Sequence, residues 1–200
     1  MIPLNVAIED ELSEAVLRRL LESANRGYAI GTAYGRSGFG YLKKTIPGWN
    51  AAAGGNPFAV MTDLDQHTCP PQLLEDWFHV PKHPNLIFIV AVREIESWLL
   101  ADSANLADFL NVSAKHIPNG VEGLNDPKGT LINIARRSRK RSIKDRIVPR
   151  NGSTAQQGPD YNGCLIEFAT GSWNIGSASL ISASLHRAIV RLQTFTPRWS

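Results

Sequence analysis

Two aspartates one residue apart close an apolar run in Phe58-Ala59-Val60-Met61-Thr62-Asp63-Leu64-Asp65. A short apolar run bounded by Pro57 reads as a strand buried on both faces, the pattern of a parallel sheet. Such a strand delivers Asp63 and Asp65 to the carboxyl edge of the sheet, where open α/β sheets bind their ligands. Two carboxylates held close together resist joint ionisation unless a cation sits between them, and a hard ion such as magnesium suits oxygen donors. The same two acids would equally serve to cap the helix that begins near Pro70 or to shape a turn.

Other acids recur at strand ends. Glu9 follows the apolar segment Ile2–Ile8, and Glu94 and Glu96 follow Leu86-Ile87-Phe88-Ile89-Val90-Ala91-Val92. If these ends line one edge, Glu9, Asp63, Asp65 and Glu96 form a set able to hold magnesium, or manganese in its place, for phosphoryl transfer. Glu96 is the stronger candidate of its pair because Ile95 and Trp98 flank it and favour burial. For Glu9 the competing role is a helix N-terminal acid that interacts with the macrodipole. Asp126-Pro127-Lys128 places a lysine at a helix start, where a cation is unfavourable without an anionic partner. A phosphate, the acid cluster or plain solvent would each accommodate Lys128.

The net charge is only +3, but its distribution is uneven. Arg136, Arg137, Arg139, Lys140, Arg141, Lys144, Arg146 and Arg150 face one acid, Asp145, over fifteen residues. The core of this run, Arg136, Arg137, Arg139, Lys140 and Arg141, fits a nucleic-acid backbone through charge neutralisation and counterion release. It carries no aromatic residue for base stacking, and a solvated helix face is the competing explanation. The glycine loop Gly35 to Gly40 is G-x-x-G-x-G, neither a dinucleotide fingerprint nor a phosphate-binding loop. His67 and Cys69 have spacing that a soft metal accepts, and a structural role fits them better.

The elements that must carry these groups follow from periodicity. Strands are expected at Ile2–Ile8, Tyr28–Ala33, Phe58–Asp65 and Asn85–Val92, alternating with helices at 10–23, 41–53 (broken at Pro47) and Pro70–Phe78. Further helices are expected at 93–100, 103–110, 126–138, 160–170 and 177–195. The fold class expected is α/β, a mainly parallel sheet flanked by helices with a helical C-terminal half. We divide the chain into an α/β domain at 1–125 and a basic helical extension at 126–200. With 43% hydrophobic residues the chain is long enough for a sizeable core. No run is apolar for long enough to span a membrane, and the start lacks a signal peptide's basic and apolar blocks. Cys69 and Cys164 stand far apart without partner spacing, so neither a disulfide framework nor a zinc site is expected, and a cytoplasmic setting is the simplest.

Glu9 after a first strand, then Asp63-Leu64-Asp65 after a later one, resembles the Toprim pattern of primases, topoisomerases and OLD-type nucleases. Val92-Arg93-Glu94-Ile95-Glu96-Ser97-Trp98-Leu99-Leu100-Ala101-Asp102 resembles more closely the M-E-x-W-f-L-A-D signature of a family of small bacterial Toprim-related proteins of unknown function. Glu96 and Trp98 match its glutamate and tryptophan, and Asp126-Pro127-Lys128 is similar to its D-P-K element. The likeness covers residues 2–128. Asp10 stands where the Toprim glutamate is usually followed by glycine. The resemblance implies a Toprim-like sheet and magnesium held by Glu9, Asp63, Asp65 and Glu96. It also implies a partner ATPase of the ABC/SMC type and a role in antiphage defence.

Together these features lead to the expectation of a magnesium-dependent nuclease or related phosphoryl-transfer subunit acting on DNA or RNA. Lys128 would stabilise charge on the phosphate. The alternative is a noncatalytic regulatory or effector subunit of a partner ATPase complex, its acids structural. A third reading, a metal enzyme acting on a small nucleotide, would not need the basic run. The sequence leaves the oligomeric state open.

Overall fold

The structure, a computed structural model, describes residues 1–199. The described chain divides into two compact units, one of residues 1–92 and 186–199, the other of residues 93–185. This division falls at Val92 and Leu185, whereas the sequence reading divides at 125/126.

The first unit alternates strand and helix: β1 (Ile2–Ile8), α1 (Glu11–Ser23), β2 (Tyr28–Gly35), α2 (Phe39–Ala52), β3 (Phe58–Asp63), α3 (Pro70–Trp77) and β4 (Leu86–Ala91). The four strands form one sheet in the order β2-β1-β3-β4, and every neighbouring pair is parallel. This is the α/β architecture that the alternation predicts. β4 is buried at every position and β3 at every position except Asp63, which explains why both read as unbroken apolar runs. With right-handed crossovers, the general rule for parallel connections, this strand order places α1 over one face and α2 and α3 over the other. On the latter face Phe58, Val60 and Phe88 pack with Ile46 and Trp49 of α2 and Trp77 of α3. Each such large side chain contributes about 1.5–3 kcal/mol on burial.

The second unit is helical. It contains α4 (Ile95–Leu100), α5 (Ser103–Leu110), α6 (Pro127–Ala135), α7 (Arg141–Ile147), α8 (Tyr161–Gly171), α9 (Ile175–Ile181) and the start of α10 (Ala183–Thr194), whose residues from His186 on belong to the first unit. Single 3-10 turns at Ala114–His116 and Val121–Gly123 link α5 to α6. α4 is the hub: all six of its residues are buried. The E-x-W-L-L-A-D stretch therefore has a packing role of its own. The Trp98 indole donates to Ser184 Oγ at 2.7 Å, the Ser184 hydroxyl donates to Glu122 Oε1 at 2.6 Å, and the Asp102 carboxylate accepts the Asn174 N–H at 2.6 Å.

Three elements depart from the sequence expectation. α2 continues through Pro47 without a break. The interior proline costs roughly 3 kcal/mol, and burial of Ile46 and Trp49 on either side of it offsets that cost. The helix expected over 126–138 stops at Ala135, and the basic run forms the turn to α7 and the first residue of that helix. The helix expected over 177–195 is two helices broken at Ser182, which is extended (φ −101°). The Ser182 hydroxyl accepts the Leu185 N–H at 3.2 Å and donates to Glu122 at 2.6 Å, so it caps α10. Continuous apolar periodicity across the break conceals it.

Gly35 ends β2 with φ +108°, and a Cβ there would lie 2.0 Å from the Ile8 carbonyl oxygen. Arg36 N–H donates to that same oxygen at 2.9 Å. The end of β2 is thus drawn against the end of β1, immediately before Glu9. Gly35→Ala is expected to destabilise the protein by about 3 kcal/mol or more, from backbone strain plus the steric clash. A urea titration checks this; a midpoint within error of the wild type contradicts it.

Candidate functional site

β1 leads through α1 to β2 on one side, whereas β3 leads through α3 to β4 on the other. The sheet therefore has its topological switch point between the carboxyl ends of β1 and β3, the crevice where such sheets bind ligands. Glu9 leaves the end of β1 and reaches across this point. Its Oε1 accepts the Thr62 hydroxyl at 2.5 Å and the Asp63 backbone N–H at 3.0 Å. Both bonds fall on one oxygen, so the carboxylate is oriented by the end of β3.

Glu9 is not the cap of α1. Asp10 is: its Oδ1 accepts the Ser13 N–H at 2.8 Å. The residue that departs from the Toprim pattern thus has a defined task, and it leaves Glu9 available for the switch point. Asp63 and Asp65 do not cap α3 either, since its N-cap is Cys69, with no side-chain capping bond. Leu64 between them is buried in the core, and its N–H continues the sheet to the Ala91 carbonyl at 2.8 Å. Leu64 is anchored there, and both its neighbours are half-buried. Asp65 is left-handed (φ 48°), a conformation that aspartate tolerates better than most residues.

Burial pushes the Glu9 carboxyl above its usual range, and the charges of Asp65 and Asp10 push the same way. The bonds from Thr62 and Asp63 only partly oppose them. A cluster of hard oxygen donors whose charges repel is one that a divalent cation would relieve. Among the described residues, no three or more histidine, cysteine, aspartate or glutamate side chains are grouped so as to hold a metal by themselves. Magnesium rarely asks for such a cage: it keeps several waters and binds one or two carboxylates together with substrate phosphates. Glu9, close enough to Asp65 to feel its charge, offers oxygen donors of the kind such an ion takes.

The neighbouring loop is fixed by charge. Arg36 (φ 60°) donates to Glu14 Oε2 through Nε at 2.8 Å, and Arg18 donates to Glu14 Oε1 at 2.8 Å. Burial opposes ionisation of Glu14, but these two arginines outweigh it and hold its carboxyl below the usual range.

Glu94, Glu96 and Lys128 belong to the second unit and are brought together there. Lys128 is at the second position of α6, behind the Asp126 cap, whose Oδ1 accepts the Gly129 N–H at 2.7 Å. The Lys128 backbone N–H donates to Glu94 at 2.9 Å, and its ammonium stands 3.7 Å from Glu96 Oε1. Burial and the charge of Glu96 raise the Glu94 carboxyl above its usual range, against the bond from Lys128. Tyr161, fully buried, donates its hydroxyl to Glu96 at 2.9 Å. Its own ionisation is pushed far up by burial and then by the Glu96 charge. The Lys128 ammonium also lies 5.5 Å from the centre of the Tyr161 ring. Tyr161→Phe leaves a buried carboxylate one donor short and is expected to cost about 1–3 kcal/mol. Unchanged stability in a denaturant titration would contradict this.

No protein-family model, curated protein or solved structure matches the chain.

The basic residues Arg136, Arg137, Arg139, Lys140 and Arg141 are all exposed, the first four on the α6–α7 turn and Arg141 at the start of α7. Arg141 is 3.5 Å from Asp145, and the other four have no carboxylate partner among the described residues. Arg146 differs: it binds Asp160 at 2.6 Å and Glu167 at 2.7 Å and is a structural tie. His67 lies 3.3 Å from Asp76, which also pairs with Lys43 at 2.6 Å; both thiols are free. Sequence reasoning did not single out Thr62 or Tyr161. Thr62 was legible in principle, since parallel pairing of Ala7 with Val60 sets Glu9 beside residue 62. Tyr161 carries no local signal.

Proposed function

We propose that the chain is a magnesium-dependent nuclease or related phosphoryl-transfer subunit acting on nucleic acid, with its reaction centre at the β1/β3 switch point. The observation that carries this reading is the reach of Glu9 from β1 onto Thr62 and Asp63 of β3, beside Asp65. Magnesium or manganese bound there would activate a water and stabilise the leaving oxygen. Thr62 and the Asp63 N–H fix one oxygen of Glu9, and Glu9 with Asp63 or Asp65 would supply the protein's oxygen donors to such an ion. The reaction centre rests on Glu9, Asp63 and Asp65, while Glu96 and Lys128 serve the second unit as a buried acid and its counter-ion. The exposed turn Arg136–Arg141 binds the phosphate backbone. The partner ATPase and the defence role come from the resemblance alone.

The noncatalytic alternative, a subunit that regulates a partner ATPase, draws on one observation: no three acids form a cage among the described residues. End-labelled single- and double-stranded DNA and RNA, incubated with the protein in Mg2+, Mn2+ or EDTA, separate the two. Metal-dependent cleavage of at least one substrate is expected. Binding without cleavage in any metal would leave the noncatalytic reading standing.

A further inference from the structure

The outer edge of β4 carries two cations that no carboxylate among the described residues neutralises. Lys82 Nζ donates to the Leu86 carbonyl and Arg191 Nη1 to the Phe88 carbonyl, each at 2.6 Å. Neither has an acidic partner among the described residues, and the sequence holds no aspartate or glutamate after Glu167. The two lie close enough to repel: burial first, and then the charge of Arg191, hold the Lys82 ammonium below its usual range. They line one open groove of about 340 Å³ together with Pro84, Ile87, Phe88 and Phe195. The two strand carbonyls fix the cations on the rim. They are also thereby occupied, which opposes pairing of an added strand along this edge.

A pair of cations beside a half-buried aromatic ring is the donor set for a phosphate that carries a flat base. We infer that this groove binds a nucleotide, its phosphate between Lys82 and Arg191 and its base against Phe195. Lysine and arginine bind phosphate through charge-assisted hydrogen bonds. Stacking on an aromatic side chain tolerates any base, and the volume is that of a small-ligand site. The site involves none of the switch-point acids, so it stands or falls apart from the nuclease reading.

The test uses the full chain in EDTA, which silences the metal site. Adenosine monophosphate, inorganic phosphate and a five-nucleotide thymidine oligomer are titrated by calorimetry into wild type, Lys82→Gln and Phe195→Leu, with melts confirming that the variants fold. Adenosine monophosphate is expected to saturate and to bind about tenfold more tightly than phosphate, the gain from one stacked base. Lys82→Gln should weaken both about tenfold, and Phe195→Leu should weaken the nucleotide alone. An oligomer that competes with the nucleotide and binds more tightly names a single strand as the source; one that binds no better names a free nucleotide. Both outcomes support the same chemistry. No saturable nucleotide binding, or binding indifferent to Lys82→Gln, overturns the site. Indifference to Phe195→Leu leaves an anion site without a base and overturns the nucleotide.

Discussion

Glu9→Gln is expected to lower metal-dependent cleavage by three orders of magnitude or more while leaving the fold intact. Glutamine keeps an oxygen to accept the Thr62 hydroxyl and the Asp63 N–H, so both bonds across the switch point survive. What it removes is one charge among repelling acids, and with it a ligand to the proposed ion. The stability effect has a definite sign. The Glu9 carboxyl is raised above its usual range, by burial foremost and then by Asp65 and Asp10. Its favourable contribution is therefore present below about pH 4.5, the unfolded value, and is lost as pH rises through the raised folded value. In EDTA at neutral pH, Glu9→Gln should match or exceed the wild type in melting temperature, and the gap should close as pH falls toward 4. Added magnesium should raise the wild-type melt and not that of the variant. If Glu9 were only a structural brace, cleavage would persist and magnesium would act on both proteins alike.

Charge reversal of Arg139, Lys140 and Arg141 to glutamate is expected to weaken nucleic-acid binding about a hundredfold at moderate salt, for every sequence tested. Losing three phosphate contacts should also flatten the slope of log affinity against log salt by about 2.7, at roughly 0.9 per contact on duplex DNA. The fold should tolerate the change. All three residues are exposed, and Lys140 and Arg141 stand at the N-terminal end of α7, where acids interact better with the helix dipole than cations do. Loss of binding thus cannot be put down to unfolding, and a melt alongside the binding assay shows this. An unchanged affinity and slope would make the turn a solvated surface and nothing more.

The sheet was legible because parallel strands buried on both faces write themselves as continuous apolar runs. Phe58–Thr62 and Leu86–Ala91 could be read directly, and the acids at their ends with them. The competing roles for those acids were not decidable from sequence: that Asp10 caps α1 shows only in its carboxylate meeting the Ser13 N–H, a matter of backbone angles. The second unit was less legible. Its organising bonds join Glu96 to Tyr161, Asp102 to Asn174 and Glu122 to Ser184, all distant pairs that no periodicity reports. The break at Ser182 shows the same limit, because a serine inside an apolar repeat reveals its capping role only through its partner Glu122. The basic run was visible as charge, but charge does not specify shape, and its division into a turn and α7 went unread.

The most direct test is a calorimetric titration of magnesium into the wild type and Asp63→Asn at neutral pH, with and without an oligonucleotide. Asparagine keeps the shape of the side chain and the backbone N–H that Glu9 uses, and removes only a charged oxygen donor. Saturable magnesium binding is predicted for the wild type, tightened by the oligonucleotide because substrate phosphates complete the ion's coordination, and lost or greatly weakened in Asp63→Asn. Wild type that binds no magnesium in either condition, or Asp63→Asn that binds it equally well, would contradict a metal centre at the β1/β3 switch point.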